Sequence, residues 1–230
     1  MSHINDIDQY LLLLLNGSDS LFLDRLMTFL TTGMTWIPLY LALLYMVVKN
    51  NETMGQILLA AGCAIGAVLL TASVDNLLVK PLVARPRPCN EVAIKYMVDV
   101  VYRLSDRDFS FFSAHAANTS SLAVFFILLV RHKLFTIAMI AWSLVNCFTR
   151  LYLGFHYPSD ILCGLLFGSL VGFVAYLVYL RIFNKISPES NFVSSHYTKT
   201  GYAISDIDVV LSVLVYILLF CIVSSLVTSL

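Results

Sequence analysis

Residues 149–180 read TRLYLGFHYPSDILCGLLFGSLVGFVAYLVYL. The first twelve positions hold Arg150, His156 and Asp160, while the twenty from Ile161 to Leu180 carry no charge. About 20 mainly apolar residues suffice for a helix to cross the hydrocarbon core of a bilayer. The stretch is therefore expected to be a spanning helix with an ionisable cluster at its mouth. Ionisable groups near membrane depth are costly, so such a cluster marks function by default.

Five further apolar runs qualify or nearly do: Thr28 to Val48, Gly55 to Val79, His115 to Val130, Leu134 to Phe148 and Val209 to Leu226. The runs from His115 and Leu134 are short, but each continues into polar motif residues that protein would shelter. Composition agrees, with 59% hydrophobic and 12% charged residues against the roughly 45–50% apolar content of soluble domains. The formal net charge is zero, which argues neither for a nucleic-acid surface nor for an acidic disordered tail. The expected fold is all-α and polytopic, a six-transmembrane-helix bundle over residues 28–230 behind an interfacial lead-in over residues 1–27. Met1 to Tyr10 has no Lys or Arg, and Leu11 to Leu15 is too short for the apolar region of a secretory signal, so the lead-in is read as uncleaved.

Gly62 and Gly66, and Gly164, Gly168 and Gly172, recur at the four-residue spacing that lets helix backbones approach, within the bundle or between two copies. Cys63, Cys89, Cys147, Cys163 and Cys221 are unclustered. They offer neither a disulfide framework nor a metal-ligand spacing and are expected as buried, inert thiols. Six spans would put the loops after spans one, three and five on one side, with Lys49, Arg131, Lys133, Arg181, Lys185 and Lys199. The positive-inside rule places that side in the cytoplasm. The long loop from Pro81 to Phe112 then faces outward, and a long loop between packed elements is more often functional than idle.

Three polar clusters share the outward side. The first is Lys80-Pro-Leu-Val-Ala-Arg85-Pro-Arg87-Pro88. Its prolines are expected to end the second span just after Lys80. Alone, this segment also reads as a basic anchor at the membrane edge. The second is Phe112-Ser113-Ala114-His115-Ala-Ala-Asn118, with Ser113 where a helix N-cap is expected. A helix start offers unpaired amide N–H groups and a positive dipole end to a phosphate oxygen. The third runs from Thr149 to Asp160 and sets His156 and Asp160 four apart. A carboxylate there can reach the imidazole, leaving the second ring nitrogen as base or nucleophile. Three cations (Lys80, Arg87, Arg150), a hydroxyl and two histidines compose a phosphate pocket. A lone His and Asp is a poor metal set, and no metal is expected. Arg85 is a candidate lipid-headgroup contact or a solvated loop cation. Asp75 and Asn76 are expected to satisfy a buried polar contact in the bundle, and Tyr152 and Tyr157 to be interface aromatics.

At these residues the chain resembles the type 2 phosphatidic acid phosphatase family, in the superfamily shared with bacterial acid phosphatases and vanadium haloperoxidases. The family pattern is Lys, six residues, Arg-Pro; then Pro-Ser-Gly-His; then Ser-Arg, five residues, His, three residues, Asp. Here the parts stand as Lys80 to Arg87-Pro88, Phe112-Ser113-Ala114-His115, and Thr149-Arg150 to His156 to Asp160. Phe112, Ala114 and Thr149 depart from the pattern, and loss of glycine at 114 is expected to stiffen the turn before His115.

The resemblance implies a six-helix phosphatase core with its motifs over residues 80–160. It implies His156 as the nucleophile forming a phosphohistidine, Asp160 orienting its ring, and His115 as the acid and base. Lys80, Arg87, Ser113 and Arg150 would hold the phosphate oxygens, without metal or cofactor. The expected enzyme is a lipid phosphatase at the outer face of a bacterial inner membrane, with lipid A favoured at its 4′-phosphate over its 1-phosphate. Phosphatidylglycerophosphate and undecaprenyl diphosphate are the alternative substrates. A phosphate-binding transporter is the alternative of another class, although binding alone would not need the two histidines and Asp160. A haloperoxidase-like vanadate enzyme shares the pocket but has little reason for six spans.

Overall fold

A computed structural model describes residues 2–101, 109–186 and 195–229. The helices are α1 (Ser2–Leu15), α2 (Leu21–Thr31), α3 (Ile37–Lys49), α4 (Met54–Ser73), α5 (Lys80–Val83), α6 (Ala114–Val130), α7 (Lys133–Tyr152), α8 (Pro158–Ile186) and α9 (Ile204–Ser229). Among the described residues the extended pairing is an isolated bridge between Tyr197 and Ala203. The protein is an all-α, multi-pass membrane protein. Among the described residues four helices, α4 with its continuation, α7, α8 and α9, are long and apolar enough to cross a bilayer. Their outer faces expose Leu58, Leu69, Leu166, Leu170 and Phe220, as a surface in contact with lipid requires.

The first expected span is not one straight helix. A bend of 65° separates α2 from the Gly33–Lys49 segment. Thr32 is extended and a single 3-10 turn, Gly33–Trp36, restarts the chain, with Pro38 at the start of α3. Proline is pre-shaped for a first helical turn and cannot continue an earlier one. The second span also departs from expectation, since helix persists past Lys80 to Val83. Val74–Val79 forms a π-helical stretch in which the Lys80 N–H donates to the Asp75 carbonyl. That wider pairing admits Pro81 into helix, and the true end is Ala84, whose φ of 48° is left-handed.

The sixth helix, α6, is 17 residues long and runs through the middle of the bundle against α4, α7 and α8. Its polar residues answer their own backbone: Thr119 Oγ1 donates to the His115 carbonyl at 2.8 Å and Ser121 Oγ to the Asn118 carbonyl at 2.9 Å. Thr71 of α4 donates to Asn118 Oδ1 at 2.6 Å, and Ser143 of α7 meets Thr119 at 3.0 Å. These hydrogen bonds let a polar helix occupy the bundle centre.

The α6–α8 seam is built on glycine. A Cβ at Gly168 would stand 2.1 Å from the Ala117 carbonyl oxygen, and one at Gly172 would stand 2.3 Å from that of Ser121. The close-packing reading of Gly164, Gly168 and Gly172 therefore holds within the bundle. Gly62 and Gly66 do not pack so, for a Cβ at either would meet nothing within 4 Å. The thiols also divide: Cys147 and Cys221 are buried, whereas Cys63, Cys89 and Cys163 are only partly covered.

Candidate active site

The starts of α6 and α8 are joined at Ser113. Its backbone N–H donates to the Asp160 carbonyl at 3.1 Å, and its Oγ caps α6 by accepting from the Ala116 N–H at 3.4 Å. Gly164, nearly two turns into α8, has no side chain to displace the Ser113 carbonyl, which a Cβ would approach to 2.7 Å. Between Arg150 at the end of α7 and His156 before α8, Gly154 turns the chain at a φ of +67°. A Cβ there would stand 2.6 Å from Val98 Cγ1, so both conformation and space demand glycine.

His156 is buried, and its Nδ1 lies 2.7 Å from the Ser110 carbonyl oxygen. A carbonyl only accepts, so Nδ1 carries the proton and Nε2 keeps its lone pair. The Asp160 Oδ2 oxygen stands farther away, 3.7 Å from the same nitrogen. Burial pushes the imidazole down to about 4, against the opposing pull of Asp160 and with help from the positive charges of Arg150 and Arg87. The ring is thus neutral near pH 7.

Asp160 is fully buried, and both its oxygens are committed. Oδ2 accepts from the Tyr157 N–H at 2.9 Å and Oδ1 from Arg85 Nη1 at 2.7 Å. Arg85 also pairs through Nη2 with Asp8 Oδ2 at 2.6 Å, donates to Ser159 Oγ at 2.8 Å, and lies 3.8 Å over the Tyr157 ring. The alternative of a solvated loop cation at Arg85 is therefore corrected: its guanidinium is held by two carboxylates.

The remaining cations surround the histidines. Arg150 is buried, donates from Nη1 to Thr31 Oγ1 at 2.8 Å, and stacks 4.3 Å over Phe155. Its Nε is buried without a hydrogen-bond partner among the described residues. Arg87 is buried and donates to the Phe155 carbonyl at 3.4 Å. Lys80 is ion-paired with the buried Asp75 at 2.8 Å, as expected of that residue, and donates to Asn76 Oδ1 at 3.1 Å; Asn76 is exposed rather than buried in the bundle. His115, in the first turn of α6, lies within electrostatic reach of Arg150, His156 and Lys80 and beside the Thr31 backbone. The three clusters thus converge. Among the described residues no group of three or more His, Cys, Asp or Glu is placed to hold a metal.

Several partners had no sequence signal. Ser110 acts through its backbone, Thr31 stands at the bend after α2, and Asp8 belongs to the lead-in. Tyr152 and Tyr157 are buried rather than interfacial, with Tyr152 Oη donating to Asp24 at 2.7 Å. The departures from the motif pattern are absorbed locally. Phe112 is buried with its ring 5.2 Å from that of Phe167. Ala114 opens α6 in ordinary helical conformation, so nothing there requires glycine. Thr149 Oγ1 donates to the Asn146 carbonyl at 2.7 Å, inside its own helix.

An apolar cavity of about 460 Å³ lies between α3, α4 and α6, with Leu44, Ala64, Val68, Leu122 and Phe126 in its wall. Asn118 and Thr119 also line it, one helical turn along α6 from His115.

Residues 55–184 match the PAP2 superfamily. The chain is 34% identical over 194 residues to a lipid A 4′-phosphatase of Bacteroides thetaiotaomicron, covering 81% of this chain and 83% of that one. It is 30% identical over 182 residues to a lipid A 4′-phosphatase of Porphyromonas gingivalis, covering 78% and 76%. In fold it resembles a transmembrane PAP2-type phosphatidylglycerolphosphate phosphatase of Bacillus subtilis, with a TM-score of 0.59, 20% identity, and coverage of 83% of this chain and 90% of that one. With Lys80, Arg87, Ser113, His115, Arg150, His156 and Asp160 drawn to one end of a helical bundle, the chain belongs to the PAP2 superfamily, and it is a membrane phosphatase.

Proposed function

We propose that this enzyme removes the 4′-phosphate of lipid A through a phosphohistidine, at the outer face of the bacterial inner membrane. The observation that carries the chemistry is the His156–Ser110 hydrogen bond, at 2.7 Å. It leaves the Nε2 lone pair of a neutral ring beside the positive charges of Arg87 and Arg150. Nε2 attacks phosphorus, the bond from phosphorus to the lipid oxygen breaks, and His115 gives its proton to the departing oxygen. His115 then takes a proton from water as the water oxygen attacks, and the phosphorus–nitrogen bond breaks to release phosphate.

Lys80, Arg87 and Arg150, with the Ser113 hydroxyl, hold the non-bridging oxygens as charge shifts. The unanswered Arg150 Nε is a buried donor that a phosphate oxygen would satisfy. The apolar cavity beside α6 suits acyl chains. The two lipid A 4′-phosphatase relatives favour that substrate, and the basic loops between spans favour an outward-facing site.

The test is phosphate release by purified protein in detergent, with lipid A, phosphatidylglycerophosphate, undecaprenyl diphosphate and phosphatidic acid offered side by side. Release from the 4′-position of lipid A, abolished in a folded His156→Ala variant, is the expected result. Preference for another lipid would move the substrate assignment. No release from any of the four would favour a phosphate-binding transporter.

A further inference from the structure

Asp8 lies in α1, outside the residues 55–184 that match the superfamily, yet it is buried against the active site. Its Oδ1 accepts from the Ser159 N–H at 2.9 Å, and its Oδ2 accepts from Ser159 Oγ at 2.5 Å and from Arg85 Nη2 at 2.6 Å. Ser159 belongs to the first turn of α8, where backbone N–H groups have no partner within the helix. Asp8 therefore caps, from 151 positions away, the helix that carries Asp160.

The rest of α1 fixes this contact. Leu12 is fully buried in a cluster with Ile94, Val98 and Tyr157. Asn16 exchanges two hydrogen bonds with the Asp99 backbone, at 2.7 and 3.0 Å, and donates to the Tyr152 carbonyl at 2.8 Å. The helix is thus held from its middle to its C-terminal end, so Asp8 is presented rather than merely near.

Arg85 is shared between Asp160 and Asp8. With both carboxylates ionised the group carries a net charge of about −1, and without Asp8 it carries about 0. Asp160 alone would be neutralised by Arg85, and the His156 ring would face no net negative charge. That ring becomes cationic as Nε2 bonds to phosphorus, because Nδ1 keeps its proton. A net negative group beside it stabilises the step, and a neutral one does not.

We propose that Asp8 is a positioning residue of the phosphatase reaction: it offsets Arg85 so that Asp160 presents uncompensated negative charge to His156, and it caps the helix start that carries Asp160. The inference rests on His156 being the nucleophile, as argued above. It gives the lead-in helix a catalytic duty.

The test is kinetic, in full-length protein in detergent. Asp8→Asn preserves shape and removes charge. It is expected to lower kcat about tenfold and to leave KM within about twofold. Adding Arg85→Gln removes the compensating cation and restores Asp160 as an isolated negative charge, so the double variant should recover to within about threefold of wild type. A merely structural role predicts the reverse, with the double variant worse than either single one. Should Asp8→Asn fail to fold, Asp8→Glu and Asp8→Gln compare equal-sized side chains with and without charge, and Gln should fall at least about fivefold below Glu.

Unchanged kcat in Asp8→Asn, no recovery in the double variant, or equal kcat for Glu and Gln would overturn the proposal while leaving the nucleophile assignment intact. A wild-type protein without phosphatase activity would overturn both.

Discussion

The His156 Nδ1 nitrogen is closer to the Ser110 backbone carbonyl, at 2.7 Å, than to the Asp160 carboxylate, at 3.7 Å. The tautomer is therefore set by a main-chain group that no side-chain substitution removes, and Asp160 acts on the ring chiefly through charge. In a Ser-His-Asp triad, turning the aspartate into asparagine costs about 10⁴ in kcat because the wrong tautomer forms. Here Asp160→Asn should cost less, about 10- to 100-fold in kcat, with KM nearly unchanged. Steady-state kinetics on the preferred lipid check this. A loss that fell on KM alone would contradict it.

His156 also links stability to pH. Its folded value of about 4 lies below the ordinary 6.5, so between these values the unfolded chain binds the proton more readily than the folded one. The contribution is fully present above pH 6.5 and is lost as pH falls through 4, by up to about 3 kcal/mol. Thermal unfolding in detergent should thus show a Tm falling from pH 6.5 to 4, with a shallower fall in His156→Ala. The same sign keeps Nε2 unprotonated down to about pH 4. An acid limb of kcat/KM centred near 6.5 would then belong to another group.

Much of this was legible in the sequence, because the signals that placed it are local. Apolar runs marked the helices, and the spacing of His156 and Asp160 marked a pair on consecutive turns. The remainder depends on contacts between distant residues. Ser110 contributes a carbonyl, which every residue has, so its type carries no signal. Asp8 meets Ser159 and Arg85 only after α1 folds back across the bundle end. The break at Thr32 lies in a run apolar enough for one span, yet it presents Thr31 to Arg150 and His115. Arg85 read as a loop cation because its two carboxylate partners lie 77 positions before and 75 positions after it.

The cavity beside α6 makes a separable prediction. Val68 lines it and touches none of the motif residues in the contacts described above. Val68→Trp would fill space suited to an acyl chain. KM for long-chain lipid should rise several-fold while kcat changes little, and a short-chain analogue should be less affected. Equal effects on long and short chains would assign acyl chains elsewhere.

The two glycine patterns predict opposite outcomes from the same substitution. In Gly168→Ala the new Cβ would meet the Ala117 carbonyl oxygen at 2.1 Å and Ser120 Oγ at 2.2 Å. Backbone cannot yield as a flexible side-chain tip can, so α6 and α8 must separate at a cost of about 1–3 kcal/mol. Because the Ser113–Asp160 backbone bond spans the same seam, activity should fall with stability. In Gly66→Ala the Cβ meets nothing within 4 Å, and the gain in helix propensity, up to about 1 kcal/mol, is unopposed. Thermal unfolding of the two variants in detergent should move in opposite directions from wild type. Equal destabilisation would mean that the groove along Gly62 and Gly66 is also a packed interface.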